Sequence, residues 1–270
     1  MLKPHTEAIV SHMSYDLEDR RKMFLGKEYT TNTCGNCTIV AYENTLNVTV
    51  AFDNPFYITS CSLGNLTKGA VFNPLQPTFF GKGYLGVGKY GTKDRRALCV
   101  WTGVLKRCYD KKYHDKHPTY EDVSVCKEWL DFQVFAEWFY SQKFSTSKDD
   151  KGKSYHLDKD ILVKGNKVYS PETCCFVPQK LNKLFTLRQN HRGTCPIGVS
   201  YHKRLKKFQS YISCNGSRKH LGTFNTLEQA FLAYKEAKEI YVKEVANLWK
   251  DRIACNVYKA MINWEIELDD

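Results

Sequence analysis

A change of period near residue 225 restricts the fold more than any other feature of the chain. From Lys207 onward the side chains alternate, Phe208, Ser210, Ile212 and Cys214 against Lys207, Gln209, Tyr211 and Ser213. A strand places alternate residues on opposite faces in this way. Asn215-Gly216 follows, a pair that tolerates positive φ at both central positions of a two-residue hairpin. Leu221-Gly222-Thr223-Phe224 closes a further strand. The period then lengthens. Thr226 and Gln229 form a capping box, and Ala230, Tyr234, Ala237, Tyr241, Val245 and Leu248 recur at steps of three and four. Strands packed by one face on a single helix leave the other face to solvent.

Charge bears on what that face meets. Between Gly198 and Gly222 stand Lys203, Arg204, Lys206, Lys207, Arg218 and Lys219 and no acidic residue, with Tyr201, His202, Tyr211 and His220 interleaved. The whole chain of 270 residues has 40 Lys+Arg against 29 Asp+Glu, a formal +11. Such an excess favours polyanions, nucleic acid first. The plainer alternative is a solvated charged face.

The run Lys207-Phe-Gln-x-x-Ile212, then Lys219-His-Leu-Gly-Thr-Phe224 and Thr226-x-Glu-x-Ala-x-x-Ala-Tyr234, resembles the APETALA/ethylene-response-factor DNA-binding domain over Gly198–Ala237. The resemblance implies a three-stranded sheet whose outward residues enter the major groove of duplex DNA, here His202, Lys207, Gln209, Tyr211, Arg218 and His220. Lys203, Arg204, Lys206 and Lys219 complete the expected DNA-binding set. Ser200 and Ser213 stand where plant members often place Arg, so a plant-type GC-rich target is not implied.

Upstream, Trp101, Val104, Leu105 and Cys108 and then Phe132, Phe135, Ala136 and Phe139 keep helical spacing. With Leu157-Asp-Lys-Asp160 and Gly165-Asn-Lys-Val-Tyr-Ser-Pro-Glu-Thr-Cys174 they resemble bacteriophage HNH-type endonuclease-like proteins, over about Trp101–Arg192. An active HNH site needs a metal and a histidine base. The resemblance puts Asp158 at the metal position, a candidate Mg²⁺ ligand. It puts Lys159 where the base belongs and Thr173 where a second ligand belongs. The motif reads as degenerate and non-cleaving, with no assigned catalytic residue; the alternative is a metal-dependent homing-type endonuclease using His156 or a re-registered site. Cys108, Cys126 and Cys174, with Cys99 or Cys175, are candidate ligands for a structural Zn²⁺, against the plainer reading of buried thiols. Cys34-Gly-Asn-Cys37 is a lone pair that carries little.

Nearer the start, Thr38–Tyr42, Leu46–Phe52 and Tyr57–Cys61 are β-like runs broken by turn residues. They suggest a small SH3-like barrel or meander. Gly81–Gly88 lacks the Gly-Lys-Ser/Thr ending of a phosphate loop and reads as a flexible connector. The expected architecture is therefore α+β and multidomain. A polar segment (1–22) precedes a small β module (23–80), an HNH-like ββα domain (95–192), an APETALA-like domain (194–253) and a tail (254–270). The helix after Thr226 is longer than short strands can cover, so Val257, Met261, Ile262 and Trp264 of the tail are expected to pack on it. No apolar run suits a membrane span, and the polar opening lacks a secretory pattern. The 11 cysteines follow no disulfide framework. A cytoplasmic protein is expected, in the bacterial host's cytosol if phage-encoded. The resulting expectation is a sequence-reading binder of double-stranded DNA, with an RNA or protein partner as a further alternative.

Overall fold

The computed structural model describes residues 17–185 and 195–270. Most of the expected polar segment and the 186–194 junction, with Arg192 and Thr194, lie outside them. Contacts divide the chain into two compact units, one running to Glu121 and taking in Lys127–Glu137, the other formed by Asp122–Cys126 and everything from Trp138. These units cut across the boundaries read from sequence. The stretch 95–192 gives most of its helices to the first unit and its strand motif to the second.

In the first unit, helix α1 (17–24) precedes four antiparallel strands in the order β1 (Glu28–Thr30), β2 (Asn36–Asn44), β3 (Asn47–Asp53) and β4 (Phe56–Cys61). The order is that of an open meander, with β1 and β4 at its edges. Ile39, Val48, Val50 and Phe52 point inward at strand period and are buried with Tyr42, Leu66 of α2 (Leu63–Thr67) and Val71. Asn44 tightens the β2–β3 turn, its Oδ1 accepting from the backbone N–H of Leu46 (2.8 Å) and Asn47 (3.0 Å).

The stripe Trp101, Val104, Leu105, Cys108 is buried on α3 (Arg95–Tyr109), which is followed by the short α4 (Lys111–His114). The glycine-rich stretch is not a loose connector but a packed strap. Gly83 lies against Trp101 and Leu105, where an added Cβ would stand 2.9 Å from the indole, and Gly88 lies against Gln133. Gln133, on α5 (Phe132–Ser141), donates from Nε2 to the carbonyls of Leu85 (2.7 Å) and Tyr90 (2.9 Å) and accepts from the Tyr90 N–H (3.0 Å). The glycines are there for close approach, which composition alone cannot separate from looseness.

The second unit contains a parallel pair, β5 (Ser124–Val125) with β7 (Val168–Tyr169), and an antiparallel pair, β6 (His156–Asp158) with β8 (Cys175–Val177). Helix α6 (Gln179–Asn182) follows. Next come three antiparallel strands in the order β11 (Ser217–Phe224), β10 (Lys207–Cys214), β9 (Val199–His202), and the 23-residue helix α7 (Leu227–Trp249). The tail forms α8 (Cys255–Ile262).

One core joins these parts. Ile161, Cys175, Val177 and Leu181 pack with Ile212 of the sheet, with Phe231, Tyr234, Tyr241, Val242 and Val245 of α7, and with Val257, Met261 and Ile266 of the tail. The tail thus covers the far half of α7 as expected, and polar bonds lock it. Lys235 Nζ donates to the Ile266 carbonyl (2.7 Å) and Tyr258 Oη to Asn247 Oδ1 (2.9 Å). Leu248, read as the end of the apolar stripe, is 79% exposed; Val242 and Ala246 are the residues that extend the buried face.

Candidate nucleic-acid interface

Register decides which residues share the outer face of the three-stranded sheet. Cross-strand partners point the same way, so buried Ser210 and Ile212 mark the inner face and their neighbours the outer one. Lys207 pairs with His202, Gln209 with Ser200 and Thr223, Tyr211 with His220, and Ser213 with Arg218. All six residues expected to face the groove, His202, Lys207, Gln209, Tyr211, Arg218 and His220, therefore share that face. A bulge between Ser210 and Tyr211 absorbs Leu221 on the β11 side. Without it His220 and Arg218 would turn inward, since one residue of slip reverses every side chain.

The other four expected residues fall elsewhere. Lys203, Arg204 and Lys206 occupy the turn between β9 and β10, held by the Leu205 N–H donating to His202 Nδ1 (3.2 Å), with Lys206 at positive φ. Lys219 pairs with Ile212 and so belongs to the helix side, near Cys214, whose thiol is pushed up by burial against the opposing charges of Lys238 and Lys219. The alternation of Lys and Arg with aromatics hides this, because the bulge is invisible to a simple count by twos.

The outer face is organised by side-chain contacts. The Arg218 guanidinium carbon lies 3.9 Å from the centroid of the Tyr211 ring, and the His220 ring stands 4.9 Å from it. Tyr211 Oη donates to Gln209 Oε1 (3.0 Å). The Asn215–Gly216 turn has positive φ at both residues, as its sequence demands. Tyr241 of α7 pins that turn, its Oη accepting from the Asn215 N–H (3.1 Å) and lying 3.2 Å from Asn215 Oδ1. Among the described residues, none of the six cations of 203–219 forms an ion pair with a carboxylate.

The loop resembling an HNH motif runs between β6 and β8. Asp158 stands opposite Cys175, and its Oδ1 accepts from the N–H groups of Asp160 and Ile161, both at 2.8 Å. Burial pushes its carboxyl above the usual carboxylate range, those two bonds opposing. Lys159 is 7% exposed, and its Nζ donates to Asp160 Oδ1 (2.6 Å) and to the Asn166 carbonyl (2.5 Å). Asn166 returns the bond from Nδ2 to the Lys159 carbonyl (2.9 Å) and also donates to the Val168 carbonyl (2.6 Å). Sequence reasoning gives Asn166 no role, though Asn beside Gly165 in a turn is a usual organiser of backbone. Thr173 donates to the Val168 carbonyl (2.8 Å), and His156 is exposed at the start of β6. The groups at 158, 159 and 173 are thus used to hold the loop's own shape.

Of the cysteines considered as zinc ligands, Cys108, Cys174 and Cys175 are buried. Cys174 is buried and its thiol is pushed up to about 12 by burial, and burial likewise raises Cys175. Cys108 belongs to the first unit, while Cys126 and Cys174 belong to the second; Cys99 is exposed. Among the described residues no three His, Cys, Asp or Glu side chains are grouped to hold a metal. No helix among them is long and apolar enough to cross a membrane. Comparison with protein-family models, curated proteins and solved structures gives no match.

Proposed function

We propose that the chain binds double-stranded DNA through the outer face of β9–β11 and does not cut it. The observation that carries this reading is the shared orientation of Lys207, Gln209, Tyr211, Arg218, His202 and His220 on a face without an acidic residue. Three strands about 4.8 Å apart span about 10 Å, which suits a major groove about 12 Å wide. Arg218 and Lys207 supply charge for phosphates or guanine edges. Gln209 and the imidazoles can donate to or accept from base edges. Lys203, Arg204 and Lys206, in the turn, are suited to backbone phosphates.

The lack of cutting rests on Lys159. A general base must be able to accept a proton from water, and this amine is buried between a carboxylate and a carbonyl. The degenerate HNH motif and the phage origin are the parts of this proposal that the resemblance supplies, and the cytoplasmic setting is the part that cysteine usage favours.

The test is duplex binding by fluorescence anisotropy over a range of salt. Lys207→Ala with Arg218→Ala is expected to weaken binding and to reduce the salt slope by about two, roughly one for each phosphate no longer neutralised. Unchanged affinity and slope in the folded double variant would remove this sheet from the interface. Competition with RNA duplexes and single strands separates the alternative partner.

A further inference from the structure

The second unit contains a cavity of about 390 Å³ beside the open edge of β10, walled by Ile197–Val199 and by Lys183 and Leu184. Strand β9 makes its last pair at Val199 with Ser210, and the Gly198 carbonyl still accepts from the Tyr211 N–H (2.8 Å). Beyond that point β10 has no strand partner on this side among the described residues, and Ser213 lines the opening. Three cations, Lys183, Arg218 and Lys238, line the cavity with the phenol rings of Tyr211 and Tyr234, and among the described residues no acidic one does.

Lys238 is the unusual member. It projects from α7, is 9% exposed, and donates from Nζ to the Leu184 carbonyl (2.9 Å). Among the described residues no carboxylate pairs with it. An ammonium has three donors, and a buried cation without a counter-charge is costly. Burial accordingly pulls Lys238 below the usual lysine range. An anion in the cavity would relieve that cost.

We infer that this cavity is a phosphate-binding site, with Lys238 at its buried end and the exposed Arg218 and Lys183 nearer solvent. Its volume lies within the range of small-molecule sites, about 300–1,000 Å³, and two tyrosine rings leave room for more than the anion. The phosphate can belong to a free nucleotide or to the backbone of a duplex on the adjoining sheet face, which shares Tyr211 and Arg218 with the cavity. The second source rests on the duplex-binding reading; the first does not.

The test uses the full chain, Lys238→Met and Lys183→Gln, the latter an exposed position where a polar replacement leaves the core untouched. Melting midpoints are measured in inorganic phosphate and in a nucleoside monophosphate against chloride of equal ionic strength, and duplex affinity is followed over salt. A midpoint raised by either phosphate in the wild-type chain and not in Lys238→Met identifies a free ligand. No such rise, with a duplex salt slope smaller by about one in Lys238→Met, identifies the backbone. If Lys238→Met does not melt cooperatively, Lys183→Gln carries both readings, each expected to be reduced. Phosphate effects equal in wild type and variants, or none together with unchanged slopes, would overturn the site. Lys207 lies outside the cavity, so a Lys207→Ala chain that binds duplex normally but still responds to phosphate would sink the duplex reading alone.

Discussion

Lys159 and Asp158 show how two adjacent charged positions can serve the architecture of a loop. Asp158 keeps two backbone N–H donors on Oδ1, yet burial raises its carboxyl. The folded chain therefore holds that proton more tightly than the unfolded one. The cost of ionising Asp158 grows as pH rises from the unfolded carboxylate range, about 3.9, to the raised folded value, and is absent in acid below both. Asp158→Asn retains an acceptor and removes the charge. It should raise the melting midpoint at pH 7 and leave it unchanged near pH 3; a lower midpoint at pH 7 would show that the ionised group is needed. Gly198 makes a second case. It has φ +78°, and an added Cβ would overlap the Tyr234 ring. Gly198→Ala combines left-handed strain with overpacking, so a loss of about 2–4 kcal/mol is expected in urea unfolding.

Among the elements, those with a clean period are legible in the sequence and those fixed by contact are not. Strands β2, β3, β4 and β10, the Asn215–Gly216 turn and the Thr226 cap follow from spacing and turn chemistry alone. Thr226 Oγ1 does accept from the Gln229 N–H (3.3 Å). The strap at Gly83–Gly88 reads as a connector because its order comes from Trp101 and Gln133, far along the chain. Lys238 escapes a count of apolar residues, which passes from Ala237 to Tyr241, although it lies four residues after Tyr234 and three before Tyr241, on the buried stripe. The tail is legible for the reason that α7 outruns its sheet. Val257, Met261 and Ile266 are fully buried, and each such side chain contributes about 1.5–3 kcal/mol. A chain ending after Arg252 should lose an amount comparable to a whole domain's stability, about 5–15 kcal/mol. Hydrogen exchange should then show α7 and the sheet unprotected while β2 and β3 stay protected; full protection of α7 would make the tail dispensable.

At the scale of the molecule, the charge and the core give different divisions of the chain. Six Lys/Arg and no acidic residue between Gly198 and Gly222 carry +6 of the net +11, so a compact reading module from 194 to 253 is what the sequence suggests. Packing does not follow that outline. The helix α7 and Ile212 share one core with Ile161, Cys175, Val177 and Leu181 on one side and with Val257, Met261 and Ile266 on the other. Cutting at 194 and 253 would bare both faces at once. Below about 60 residues a domain buries only about 60% of the surface its unfolded chain exposes and has little stability to lose. Fragment 194–253 should therefore keep its basic face in sequence but not in shape. Its amide spectrum should be poorly dispersed and its duplex affinity well below that of the full chain at equal salt, close to that of an unstructured basic peptide. Tight, sequence-selective binding by the isolated fragment with a dispersed spectrum would show that the sheet and the helix suffice, and that the shared core serves some other end.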